Sequence, residues 1–356
     1  MEASTEAARL PVRASTWDRV RGYIGEYGLI ALLLVMPVVY GVQDLSEAGN
    51  LTRLGNNVVD GLSNGAIWAL IALGYTLVYG IIELINFAHG EVFMIGSLIV
   101  AAWLWGVIGL TAETAILGLI GGLVISLLLA MVVSGTLNVM IERVAYRPLR
   151  TAPKLAPLVA AVGMSFILQN VGILWIGGSP EGIPNLIGAQ EELVTIGGVE
   201  ISQGDALSVL TTIPLVLLLT TFIAQSRLGR AMRATAQDPE AARLMGINVD
   251  TTISLTFLLG GLMAGAAGLI YALYQTTVWY LQGFQAGLIA FTAAVMGGIG
   301  NLKGAVLGGF IIGIIQQMSD NRIGGEWTPA IVFTYLVLIM VLRPQGLLGE
   351  ETREAG

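Results

Sequence analysis

Long apolar runs, recurring about ten times along the chain, restrict this sequence more than any other feature. Residues 27–42, 117–140 and 330–342 carry no charged side chain at all. A helix needs roughly 20 apolar residues to cross the hydrocarbon core of a bilayer, which is about 30 Å thick. The runs are continuously apolar rather than alternating, so they read as helices and not as barrel strands. Composition agrees: 55% of the 356 residues are hydrophobic and 12% are charged, against roughly 25% charged in a soluble domain. The expected fold is an all-α polytopic membrane protein, a single transmembrane domain over 27–342 with tails at 1–26 and 343–356. The first 22 residues are polar and of mixed charge, so they read as a tail rather than a cleaved signal.

Crossing segments are expected near 27–42, 58–81, 91–110, 114–140, 157–177, 207–225, 252–274, 282–297, 304–318 and 328–342. Lys and Arg are retained on the cytoplasmic side of a membrane. One basic cluster, Arg143, Arg147, Arg150 and Lys154, follows the fourth segment, and another, Arg227, Arg230, Arg233 and Arg243, follows the sixth. Arg9, Arg13, Arg19 and Arg21 precede the first segment, and Arg343 and Arg353 follow the last. Threading the chain with both termini cytoplasmic leaves Arg53 and Arg322 on the far side. It also sends the 178–206 loop outward, with Glu181, Glu191, Glu192, Glu200 and Asp205 and no basic residue.

Two segments are short. At 1.5 Å per residue, 282–297 and 304–318 each reach only about 24 Å. They flank a glycine-rich turn at 297–304 that contains Lys303, and a re-entrant pair of half-helices there would leave eight true crossings. Glycines recur four apart at Gly118 and Gly122, Gly261 and Gly265, Gly304 and Gly308, and Gly309 and Gly313. That spacing permits close helix packing, within one subunit or against another.

Several chemistries are excluded. There is no cysteine, His89 is the single histidine, and the net charge is −7. Thiol chemistry, multi-histidine metal sites and nucleic-acid partners are therefore set aside. No GxxxxGK[ST], HExxH or GxSxG motif occurs, so the chain has no familiar means of hydrolysing ATP. No cofactor is expected on the chain itself. The membrane helices are nearly bare of charge, which counts against an ion-coupled carrier.

Two stretches interrupt the apolar pattern. In the cytoplasmic loop 226–250, Asp238 is an N-cap, Pro239 suits the first turn, Glu240 complements the helix dipole and Gly246 ends the helix. A self-capped helix of about two turns is expected, spanning Ala241, Ala242, Arg243 and Met245. In 74–97, an apolar run is broken by Glu83, Asn86, His89 and Glu91. A carboxylate at mid-membrane costs about 2.5–3.5 kcal/mol. Two readings stand: an interfacial turn whose charges reach water, or a broken helix lining a transport path. If helix geometry continues through the break, Glu83, Asn86 and Gly90 share a face, Gly90 allows close approach, and His89 hydrogen-bonds across the gap. Glu91 then sits at the start of the next helix, where the dipole eases its charge. An intramembrane enzyme pairing His89 with Glu83 or Glu91 lacks a nucleophile.

The stretch Glu240-Ala241-Ala242, with Gly246 following, resembles the EAAxxxG signature of ABC-transporter permeases, although the hydrophobic-x-Leu-Pro ending is absent. More specifically, NGAIWALIALGYTLVYGIIELINFAHGE from Asn64 is similar to the Liv-type permeases of branched-chain amino acid ABC importers, of the H kind rather than the M kind. So are ERVAYRPLR from Glu142, FTAAVMGGIGNLKGAVLGG from Phe291 and RPQGLLG from Arg343. The resemblance runs from about Asn57 to Gly349. It implies a multi-pass permease of a bacterial or archaeal plasma membrane, paired with a second permease of the M type. It also implies two cytoplasmic ATPases that hold ATP and Mg, docked on the Asp238–Gly246 helix, and an extracytoplasmic substrate-binding protein. Branched-chain or other neutral amino acids are the expected solutes. Urea or short amides, or a stand-alone channel or secondary carrier, stay open as alternatives.

Overall fold

The computed structural model describes residues 16–103, 107, 109, 114–153 and 155–349, with side chains described from residue 27 onward. The expected basic residues Arg9, Arg13, Lys154 and Arg353 lie outside the described residues, as does part of the expected crossing at 91–110.

The chain opens with α1 (Thr16–Glu47), α2 (Thr52–Ile82) and α3 (His89–Ala102). Next come α4 (Ile116–Ile141), a π-helical and 3-10 turn at Glu142–Tyr146 and Arg147–Leu149, and α5 (Leu155–Ile176). A loop carries β1 (Glu181–Gly182), β2 (Glu192–Ile196) and β3 (Val199–Ser202) before α6 (Gln203–Gln225). Two short helices, α7 (Arg227–Gln237) and α8 (Pro239–Leu244), lead into α9 (Val249–Gln275). Then follow β4 (Thr277–Val278), α10 (Gln282–Gly297), α11 (Leu302–Arg322) and α12 (Thr328–Leu342). The strands are minor: β2 and β3 make a hairpin, and β1 pairs antiparallel with β4.

Eight of the described helices are long and apolar enough to cross a membrane. Here α12 is counted with the turn that precedes it from Gly325. Helix α3 is described over 14 residues, and α10 has 16, about 24 Å and less than the hydrocarbon core. The sequence pairs the short segment 282–297 with 304–318, and this pairing is corrected. Helix α11 runs on to Arg322 and is 21 residues long, long enough to cross, so it is no half-helix. The hydropathy pattern stops early because α11 ends in polar residues, and those residues are satisfied by α2. Trp68 donates to Gln316 (2.6 Å), Asn64 to Gln317 (3.0 Å), Gln317 to Asp60 (3.2 Å) and Asn321 to Asn57 (2.6 Å). A helix paid back in this way stays helical inside a bilayer.

Glycine sets the distances in the core. A Cβ on Gly309 would stand 2.5 Å from the Cα of Ala69, and one on Gly313 would stand 2.4 Å from the Cα of Gly65. Helices α2 and α11 therefore touch backbone to backbone. Gly261 and Gly265 bring α9 equally close to α4, and Gly304 and Gly308 bring α11 close to α10. These three glycine pairs serve packing within the subunit, whereas Gly118 meets only Thr114 of the preceding turn.

The two ends of the bundle differ in charge. At one end, Arg322 pairs with Asp44, Asn56 receives the Glu200 N–H and Gln190 reaches the Tyr274 carbonyl. At the other end, Arg147 and Arg150 both bind Asp250 at 2.6 Å, and Arg150 also pairs with the buried Glu142. The segment after α12 folds back here, with the Leu347 and Leu348 N–H groups bonding to Met296 and Gly297. By the positive-inside rule the arginine-rich end is cytoplasmic. Because the chain has no cysteine, single cysteines test this directly. Gln190→Cys, exposed at the acidic end, should react with an impermeant thiol reagent from outside, and the exposed Gln237→Cys only from inside. The opposite labelling would invert the bundle.

Candidate functional site

The interruption seen in the sequence is a true break. Helix α2 ends where Glu83 adopts φ 53°, ψ 28° and its N–H closes on the Tyr79 carbonyl. A left-handed glutamate is uncommon, and the chain then runs without helix until His89. The expected shared face of Glu83, Asn86 and Gly90 does not form, because the left-handed turn at Glu83 destroys the register. Glu83 is exposed at the cytoplasmic end, whereas Asn86, His89, Gly90 and Glu91 are all buried.

The break turns back into the bundle. His89 packs beside Gly74, where a Cβ would come within 2.2 Å of the ring, and Gly74 lies about 12 Å up α2 from its inner end. Non-helical backbone at that depth is tolerated only where protein satisfies it. Asn86 does much of that work: its amide donates to Asn138 (3.1 Å), and Asn138 in turn donates to the Phe257 carbonyl (2.6 Å). The Tyr146 hydroxyl is shared between the Ile85 carbonyl (3.1 Å) and Asn86 Oδ1 (3.2 Å). One buried amide thus ties the break to α4, to the π-helical turn and to α9.

The His89 ring lies against the Ile71 backbone of α2, and among the described residues neither of its ring nitrogens makes a hydrogen bond of good geometry. Its backbone N–H bonds to the Asn86 carbonyl, and its ring meets Tyr75 edge-on at 4.9 Å and 71°. Gly90 behaves as expected: a Cβ there would lie 2.2 Å from the Gly283 carbonyl, so α3 and α10 cross in contact. Glu91 occupies the first turn of α3, where the dipole favours its charge. It is fully buried, and Oε1 accepts from Ser165 (2.8 Å) and Gln169 (2.9 Å) on α5. Ser165 lies ten residues into α5, about 15 Å from either end. Oε2 has no hydrogen-bond partner among the described residues. A carboxyl group therefore sits at mid-depth, half satisfied.

The second motif folds as its capping chemistry requires. Asp238 accepts from the Glu240 and Ala241 N–H groups at 2.8 and 2.9 Å, and Pro239 opens α8. Gly246 stops it at φ 84°, a conformation that glycine adopts without strain. Only Ala242 faces inward, at 4% exposure, while Leu244 and Met245 stand 89% and 83% exposed. Glu240 and Arg243 are exposed as well. The structure thus presents a short, rigid projection with an apolar tip at the basic end.

Comparison with known proteins places this architecture. Residues 57–342 match the family model described as branched-chain amino acid transport system, permease component. The high-affinity branched-chain amino acid transport permease BraD of Pseudomonas aeruginosa is 40% identical over 82% of this chain and 94% of its own length. LivH of Escherichia coli K12 shows the same identity and the same coverage. This chain belongs to the branched-chain amino acid transport permease family. A more distant relative, the autoinducer 2 import permease LsrC of Klebsiella pneumoniae, is 30% identical over 53% of the chain.

Within this family fold, several residues around the break carry no signal of their own in the sequence. Asn138 and Gln169 read as isolated polar residues in apolar helices, with nothing in the sequence to name their partners. Glu142, Arg150 and Asp250 sit in segments that read simply as charged loops. The Asn86 hub yields a stability prediction. Asn138→Ala leaves the buried Asn86 amide unpartnered and should cost about 1–3 kcal/mol, seen as a lowered unfolding temperature in detergent. Asn170→Ala, on an exposed face where the amide bonds only its own helix, should shift it little. Equal shifts would remove the hub from the account.

Proposed function

We propose that this chain is one membrane-spanning half of an ATP-driven importer for branched-chain or other neutral amino acids in a bacterial or archaeal plasma membrane. The observation that carries the reading is α8: a self-capped helix, exposed at the basic end, that offers Leu244 and Met245 to a partner. Apolar side chains at that level of exposure fit an interface. Two ATPases holding ATP and Mg would dock there, a second related permease would complete the pore, and a binding protein would deliver solute at the acidic end. The chain itself needs no cofactor in this scheme. The branched-chain amino acid permeases to which it is similar support the amino-acid substrate, and the lack of a phosphate-binding loop supports separate ATPases.

The charge of α8 tests the docking. Glu240→Lys reverses a favourable dipole interaction in the first turn and alters the exposed face, yet lies outside the membrane helices. In proteoliposomes holding the full complex, uptake of leucine should fall at least tenfold, and stimulation of ATP hydrolysis by the loaded binding protein should be lost. Wild-type uptake at equal assembly would remove α8 as the coupling element.

A further inference from the structure

Helix α10 is enclosed on every side but one. Gly283 and Gly287 press against α3, and Ala293 and Gly297 press against α11. The stripe left open is Phe284, Leu288 and Phe291, at i, i+4 and i+7, with Phe284 49% exposed.

A chain of cavities follows that stripe from the acidic end to the basic end. The outer one, about 490 Å³, is lined by Asp60, Asp205, Asp320 and side-chain amides. It shares Gln316 and Asp320 with a cavity of about 420 Å³ beside Phe284 and Leu288. Those two residues also border a space of about 50 Å³ among Tyr75, Phe87, Ser165, Phe166 and Phe291. Tyr75 and Phe291 lead on to a gap of about 10 Å³ at Tyr79, Ile85 and Ile299. Ile299 finally borders the inner cavity, about 710 Å³, with Arg233 and Lys303. A wide polar chamber at the outer end and a wide, mainly apolar one carrying Arg233 and Lys303 at the inner end flank an aromatic waist.

The waist has a chemical preference. Five of its nine lining residues are aromatic, and an aromatic ring attracts a cation held over its face. Ser165 spends its hydrogen on Glu91, so toward the cavity its oxygen can only accept. Behind it, Glu91 keeps one carboxyl oxygen buried without a partner. A donor group on an apolar body fits such a wall, and an anionic or acceptor-only group does not.

We propose that this seam is the solute's route along the subunit, and that Glu91, acting through Ser165, favours the primary ammonium group of an apolar amino acid at the Phe284–Phe291 waist. The assignment rests on the permease reading above and names the part of the chain that the solute touches. Glu91 is here a positioning and selectivity residue, one side chain removed from the solute.

Charged thiol reagents provide the test, applied to the complex built on this cysteine-free chain after any cysteines of its partners are replaced by serine. Phe284→Cys and Phe291→Cys are each treated with aminoethyl methanethiosulfonate, a cation, and with sulfonatoethyl methanethiosulfonate, an anion. The ratio of the two rates is compared with that at Asn50→Cys, an exposed position. The cation-to-anion ratio at the waist should exceed the Asn50 ratio by about tenfold, and Glu91→Gln, which keeps an oxygen for Ser165 and Gln169, should erase the excess. Absence of labelling at both waist positions, or a preference that survives Glu91→Gln, overturns the proposal. If Glu91→Gln does not assemble, Ser165→Ala decides. A fall to the Asn50 value supports Glu91 acting through Ser165, and a ratio that is kept overturns it. Uptake by the cysteine variants' parent complex is measured alongside. A complex that labels as expected but imports no amino acid sinks the permease reading and spares the seam, and the converse sinks the seam alone.

Discussion

Backbone contact between α2 and α11, allowed by Gly65, Gly309 and Gly313, is the arrangement from which the other positions follow. In lipid there is no hydrophobic gain from pressing two apolar helices together, so close van der Waals packing and interhelical hydrogen bonds must hold them. Here the two effects reinforce one another. The glycines bring the axes near enough for short amides to reach across, and the Asn–Gln contacts between α2 and α11 then fix their rotation. Helix α10 closes on α11 through Ala293 and Gly308, and α9 closes on α4 through Gly265. A side chain larger than hydrogen at any of these crossings would push the axes apart and break the amide contacts with them.

The polar residues of the bundle divide by how fully they are satisfied. Asn86, Asn138 and Tyr146 form a closed set, each bonded to another buried group. Glu142 is fully buried but accepts from both Arg150 and Ser254. Breaking a buried pair of that kind by removing one partner is strongly destabilising, while its net contribution when intact is modest. These groups specify geometry. Glu91 differs, because half of its carboxyl group is left without a donor at mid-depth. A bilayer imposes the same cost on every such atom. That unsatisfied oxygen beside an aromatic waist is the observation on which the proposed ammonium preference rests.

Much of this was legible in the residues, for definite reasons. Apolar runs of membrane length found the helices, and the arginine clusters that the sequence places together gather at one end of the bundle. Asp238, Pro239 and Gly246 predicted α8 closely, since capping is local chemistry that needs no tertiary partner. The misreadings share one cause. The end of α11, the pairing of the short helices and the conformation at Glu83 all depend on contacts from remote segments. Gln316 and Gln317 look like a helix end until Asn64 and Trp68 are placed beside them. Ser165 and Gln169 show nothing until α3 presents Glu91. The aromatic stripe on α10 is likewise indistinguishable from lipid-facing residues in sequence, because both read as apolar.

The two functional regions are joined by α9. Helix α8 ends at Leu244, and α9 starts at Val249, capped on the Thr251 N–H by Asn248, two residues after Gly246. Eight residues on, about 12 Å along the axis, the Phe257 carbonyl receives the Asn138 amide that holds Asn86 and the break. Further along, Gly260 faces Gly74, the residue against which His89 rests. No flexible linker intervenes after Gly246, since α9 is continuous to Gln275. The helix that follows α8 thus carries first the buried Ser254–Glu142 contact and then, at Phe257, the amides that hold the break. The cytoplasmic projection and the mid-depth carboxyl group, far apart in sequence, are separated in the fold by one helix and two hydrogen-bonded amides.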